Sequence, residues 1–88
     1  MIKQQLVIQN KLGLHTRAAA KLVDIAKKYS CKIELAYRDR IVDCKSIMGV
    51  ITLGAYKDSQ IEVALDGEDE QEALLAIKRL VDDKFGED

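Results

Sequence analysis

The stretch Asn10-Lys11-Leu12-Gly13-Leu14-His15-Thr16-Arg17-Ala18-Ala19-Ala20-Lys21 contains the only histidine among 88 residues. An imidazole with an ordinary pKa of about 6.5 keeps one ring nitrogen free and nucleophilic near neutral pH. Arg17 adds a fixed positive charge with planar donors that match a phosphate. Thr16 is placed to N-cap a helix, which sets the first free backbone N–H groups beside the ring. Gly13 lies in the connection, where a positive φ or a close backbone approach is easily accommodated. The helix end and Arg17 both favour the neutral, nucleophilic form of His15. A lone histidine in a small domain is usually a surface or capping residue. The turn, the cap, the arginine and the helix that follows set this one apart as a site for an anion or a phosphoryl group.

Two elements must hold that stretch. Leu6, Val7 and Ile8 form a short apolar run that reads as a strand. Beyond the histidine, Ala19, Leu22, Val23 and Ala26 fall at i, i+3, i+4 and i+7, which predicts a helix over 16–28 ending in Lys27-Lys28. Residues 32–37 alternate Ile33, Leu35 and Tyr37 with Lys32, Glu34 and Ala36, and 40–43 reads as the return strand of a hairpin. Ser46 is a natural N-cap for a short helix through Leu53, which Gly54 ends. That helix is apolar all round, so Ile47 and Met48 in its first turn are expected to form an exposed patch.

Residues 55–59 read as a loop and 60–65 as a cleanly alternating strand. After the Asp66-Gly67 turn, acidic residues crowd the start of a last helix with the stripe Ala73, Leu74, Ile77, Leu80 and Val81. Residues 84–88 are expected to fray. The expected fold is α+β: a four-stranded, mainly antiparallel sheet with three helices on one face, in the order βαββαβα.

Composition narrows the function classes. Eighty-eight residues make one domain, 1–88, and 48% hydrophobic residues suffice for its core. With 14 basic and 15 acidic residues the net charge is −1, so no nucleic-acid or membrane partner is expected. Cys31 and Cys44 lie outside any C-x-x-C pattern, and one histidine cannot complete a metal set with them, so no metal or cofactor is expected. Met1-Ile2-Lys3-Gln4-Gln5 has no apolar h-region, and the expected location is the cytoplasm.

Residues 10–22 resemble the active-site segment of the HPr family, the histidine phosphocarriers of the bacterial phosphotransferase system. Lys45-Ser46-Ile47-Met48-Gly49-Val50-Ile51-Thr52-Leu53-Gly54 resembles the regulatory serine and short helix of the same family. Order, spacing and length agree along essentially the whole chain. The resemblance implies the HPr-like open-faced β-sandwich. It also implies that phospho-Enzyme I, charged by phosphoenolpyruvate, phosphorylates Nδ1 of His15, with Arg17 and the amides of Thr16 and Arg17 stabilising the group. The phosphoryl group then passes to an EIIA-type protein, so the chain is a carrier and not a turnover enzyme. At Ser46 the resemblance implies regulatory phosphorylation by HPr kinase/phosphorylase in bacteria that have it. Many relatives carry proline where Ala18 stands, and alanine serves the first helical turn equally well.

Docking is expected on the surface around His15, with Ala20 and Lys21 on the first helix and Lys45, Ile47, Met48 and Ile51 on the second patch. Arg17, Lys21 and Lys45 form its expected basic rim, and a carrier that presents one face to several partners is expected to be a monomer. Within the family, the nitrogen-related regulatory branch is an alternative to sugar uptake. RNA binding lacks exposed strand aromatics, since only Tyr29, Tyr37, Tyr56 and Phe85 are present. Acylphosphatase chemistry has only Asn10 to position a water.

Overall fold

The computed structural model of the chain describes residues 1–87. Its elements are β1 (Ile2–Val7), α1 (Thr16–Ala26), β2 (Lys32–Tyr37), β3 (Arg40–Asp43), α2 (Ile47–Thr52), β4 (Gln60–Asp66), α3 (Glu70–Asp82) and a 3₁₀ turn (Lys84–Gly86). The strands form one sheet in the order β1-β4-β2-β3, with every neighbouring pair antiparallel. β1 and β2 both pair with β4, so α1 crosses between parallel strands that have β4 inserted between them. α2 makes the same kind of crossover from β3 to β4 around β2. Two split βαβ units therefore interlock, and this holds α1 and α2 side by side.

Alternation decides which face is covered. Ile33 pairs with Leu65 and Leu35 with Val63, and all four are buried under the helices. One residue on in each strand, Glu34 pairs with Ala64 on the opposite, open face. On α1 the expected stripe Ala19, Leu22, Val23 and Ala26 is buried, together with Ala18. On α3, Ala73, Ile77 and Val81 are buried, while Leu74 and Leu80 are half-buried. The expected α+β open-faced sandwich is the observed one.

Three details depart from the sequence expectation. α1 stops at Ala26, two residues early, where Lys28 and Tyr29 bond back to Ile25 and Ala26 in a tightened last turn. Thr16 is the first helical residue and not the cap; His15 holds the N-cap position, with φ −75° and ψ 175°. The tail is ordered through Glu87. Phe85 is fully buried, and Lys21 Nζ donates to the Phe85 carbonyl at 2.6 Å. Lys84 and Phe85 take φ of +55° and +56°, a left-handed conformation costing about 1–2 kcal/mol per non-glycine residue. Burying a phenylalanine side chain contributes about 1.5–3 kcal/mol, which offsets much of that cost. The sequence signal missed was a lone aromatic just past an amphipathic helix.

Candidate functional site

Loop pairing holds the residues before α1 in place. Ile8 N donates to Ser59 O at 2.9 Å, Asp58 N to Ile8 O at 2.6 Å, and Leu14 N to Ala55 O at 3.1 Å. The loop after α2 thus clamps the segment that carries His15. Gly13 is required at that clamp. Its φ is +65°, and a Cβ there would lie 2.5 Å from the Ala55 carbonyl oxygen. His15 N closes a tight turn onto Gly13 O at 2.9 Å, and His15 O accepts the first helical bond from Ala19 N at 2.8 Å.

The start of α1 is left open. No side chain among the described residues caps it, so the amides of Thr16, Arg17 and Ala18 keep their donors without an intrahelical partner. Thr16 and Arg17 are exposed, and among the described residues Arg17 makes no hydrogen bond or ion pair. The His15 side chain is 22% exposed, enough for a partner to reach one edge of the ring. Its Nε2 is hydrogen-bonded to Oε2 of Glu87. The other oxygen, Oε1, accepts from Asn10 Nδ2 at 3.1 Å, and the same Nδ2 donates to Gly13 O at 2.7 Å.

Asn10 is fully buried, and its Oδ1 has no partner among the described residues. Both neighbours of its Nδ2 are acceptors, so its orientation is set. Asn10 holds the Glu87 carboxyl below the usual carboxylate range, with smaller contributions in the same direction from His15 and Arg17. Glu87 lies in the tail expected to fray, and sequence reasoning assigned it no role. Asp88 lies outside the described residues.

The remaining predicted positions divide into two groups. Ala20 is half-buried on α1, and the ammonium of Lys21 is engaged with the Phe85 carbonyl. Ser46 caps α2, its Oγ accepting from Gly49 N at 3.1 Å. Lys45 Nζ donates to Tyr29 O at 2.8 Å, just beyond the C-terminal end of α1. The C-terminal end of α2 is tied instead to the start of α1 through Ala55 and Leu14. α1 and α2 therefore run antiparallel, and Ser46 sits one α1 length from His15, about 16 Å for 11 residues. The single basic rim expected from Arg17, Lys21 and Lys45 does not form: Lys45 belongs to the Ser46 end. Ile47 and Met48 are 40% and 67% exposed, as expected for a patch, and Ile51 is half-buried.

Cys31 and Cys44 are both buried free thiols, and burial pushes Cys44 up to about 12. No helix among the described residues is long and apolar enough to cross a membrane.

Comparison with known proteins bears on the family and the fold. The family model "PTS HPr component phosphorylation site" matches residues 2–83. The phosphocarrier protein HPr of Xylella fastidiosa is 44% identical over 88 residues, covering 100% of this chain and 99% of the relative. The crystal structure of HPr-C-His from Thermoanaerobacter tengcongensis superposes with a TM-score of 0.96 at 39% identity, covering 100% of this chain and 99% of that one. An HPr dimer from the same organism has a TM-score of 0.79 at 39% identity, with 99% and 100% covered. Such full-length agreement in sequence and fold leaves one assignment: the chain belongs to the HPr phosphocarrier family of the phosphotransferase system, whose members carry phosphoryl groups and are not turnover enzymes.

Proposed function

We propose that this chain accepts a phosphoryl group from phospho-Enzyme I on Nδ1 of His15 and passes it to an EIIA-type protein. The observation that carries the reading is a partly exposed imidazole at the N-cap of α1, two residues before Arg17, whose guanidinium has no partner among the described residues. A phosphoryl group on His15 meets the amides of Thr16 and Arg17, the positive end of the helix and the planar donors of Arg17. Each transfer exchanges one P–N bond for another: the Nδ1 lone pair attacks phosphorus as the bond to the donor nitrogen breaks. Charge placement and orientation supply the catalysis, so neither a metal nor a cofactor is required for this reading.

Ala20, Lys21, Ile47, Met48 and Ile51 are the docking residues of the proposal, with Arg17 at the charged centre. Lys45 joins them only for a partner that spans both ends of the α1–α2 pair. At Ser46, phosphorylation by HPr kinase/phosphorylase puts charge at a helix N-terminus, where it is tolerated, next to Ile47 and Met48, where it opposes apolar docking. The working state is a cytoplasmic monomer, since a carrier must expose one face to successive partners.

Phosphoryl transfer from phosphoenolpyruvate through purified Enzyme I, read by intact mass, tests the proposal. Wild type gains one acid-labile phosphate and His15→Ala gains none. A gain that survives His15→Ala, or no gain in wild type, rejects it. Sedimentation at working concentration tests the monomer.

A further inference from the structure

We infer that Glu87 is a positioning residue for phosphoryl transfer: it holds Nε2–H of His15 so that the ring presents its Nδ1 lone pair, and it stabilises the phosphorylated ring as a cation. The inference rests on the carrier reading above and extends it to a residue of the tail.

The hydrogen bonds at the ring support this. An ionised carboxylate only accepts, so a hydrogen bond between Glu87 Oε2 and His15 Nε2 places the ring proton on Nε2. The neutral ring then has its lone pair on Nδ1. Glu87 stays ionised and aimed because its second oxygen is held by Asn10, a fully buried side chain whose Nδ2 is also fixed by Gly13 O. The backbone supports the same contact. Phe85 is fully buried and Lys21 holds its carbonyl, which sets the path of the chain into Glu87.

The proton count across the relay follows. In the resting ring Nε2 is protonated and Nδ1 is free. Attack of Nδ1 on the donor's phosphorus forms Nδ1–P and breaks the donor's P–N bond, leaving this ring a cation with Nε2–H still on Glu87. In the onward step the acceptor attacks phosphorus, the Nδ1–P bond breaks, and its electron pair returns to Nδ1. The ring is again neutral with the same Nε2–H. No proton enters or leaves this ring in either direction, and the cationic phosphorylated ring is the better leaving group. Among the described residues, Glu87 on the tail bonds the imidazole and favours the cation, while Arg17, two residues on along α1, carries the charge that opposes it. Asn10 is neutral, and Lys21 points its ammonium at the Phe85 carbonyl.

The test is ring nitrogen NMR of ¹⁵N-histidine-labelled wild type, Glu87→Gln, Glu87→Ala and Glu87→Asp, before and after phosphorylation, alongside transfer rates from Enzyme I. Backbone amide spectra confirm that each variant is folded. Wild type is expected to show the Nε2–H tautomer almost alone, whereas Glu87→Gln and Glu87→Ala show mixed tautomers. In their phosphorylated forms Nε2 is expected to lose its proton at lower pH, and transfer to slow on the order of 10-fold. Glu87→Asp is expected to recover part of each effect. Identical tautomer populations and identical pH dependence in wild type and Glu87→Gln overturn the inference. Failure of Enzyme I to phosphorylate wild type instead overturns the carrier reading and with it the role in transfer, while the tautomer comparison still decides whether Glu87 orients the ring.

Discussion

The starts of α1 and α2 present the same backbone problem, three or four N–H groups without partners, and resolve it in opposite ways. At α2 the cap is local: Ser46 Oγ accepts from Gly49 N, three residues on, so one of those donors is satisfied by the helix's own N-cap. At α1 the N-cap position is held by His15, whose side chain bonds Glu87 and leaves the first amides without a side-chain acceptor among the described residues. The closed end is a structural joint. The open end is available to an anion, at the expense of helix stability that a serine cap would supply, about 1 kcal/mol. Their separation by the length of α1 means each can be changed with little direct effect on the other.

The largest expected effect comes from removing the support of the open end. Gly13→Ala places a left-handed alanine with its Cβ 2.5 Å from the Ala55 carbonyl oxygen, a contact with backbone that no rotamer change relieves. The left-handed conformation costs about 1–2 kcal/mol and the forced backbone shift about as much again. Chemical denaturation should show a loss of about 3 kcal/mol, with phosphate gain on His15 impaired even under conditions that keep the variant folded. A loss below about 1 kcal/mol would mean that the loop after α2 moves freely and does not clamp the site.

Next in size is Arg17→Ala. The guanidinium has no described structural partner, so Tm should hardly change, while transfer from phospho-Enzyme I should fall on the order of 10²-fold, as for loss of one donor to a charge-bearing transition state. Single-turnover kinetics separates this from a docking effect, since added Enzyme I restores the rate only in the latter case. Ser46→Ala should give the reverse pattern. It should cost about 1 kcal/mol, a few degrees in Tm for a chain of this size, while the acid-labile phosphate from Enzyme I is still gained. Equal loss of transfer in Ser46→Ala and Arg17→Ala would remove the distinction between an open and a closed helix start.

The two helix starts were unequally legible from sequence. Ser46 was readable because a serine cap acts on its own helix, three residues away, and this is a local pattern. The exposed Ile47 and Met48 were readable for a related reason, since a six-residue helix cannot bury every side of an apolar sequence. At α1, Gly13, His15 and Arg17 could be singled out by type and spacing, but the partners could not. Glu87 is 72 residues from His15 and Asn10 is 77 from Glu87, so no periodicity connects them. Threonine is the better capping residue in isolation, so the sequence points to Thr16 where the fold places His15 at the cap. The loop at 55–59 carried no sign that it would clamp the segment 8–14. The single basic rim failed because nothing local revealed that α1 and α2 run antiparallel, with Lys45 at the far end. β2 and β4 were legible, because alternation declares a face without reference to its partner.

The smallest expected effect concerns the third helix start, which tests whether a cap must serve its own helix at all. Asp69 occupies the N-cap position of α3 but makes no side-chain cap bond there. Its Oδ2 accepts from Ser30 N at 2.8 Å and its Oδ1 from Cys31 N at 3.0 Å, joining the end of the α1 connection to the start of α3. The approach is close: a Cβ on Gly67 would sit 2.6 Å from Cys31 Cβ. The bond from Ser30 N contributes most to holding the Asp69 carboxyl below its ordinary value of 3.8. A carboxylate depressed on folding adds stability that is fully present above its unfolded pKa and is lost as pH falls through its folded one. The Tm difference between wild type and Asp69→Asn should therefore be constant above about pH 5. It should close as pH falls below 3.8, because wild type loses the charged acceptor that the variant never had. Glu87 is depressed as well but is present in both proteins, so it cancels from the difference. A gap that persists unchanged into strong acid would mean that Asp69 works through shape alone, and that its negative charge contributes nothing to either helix.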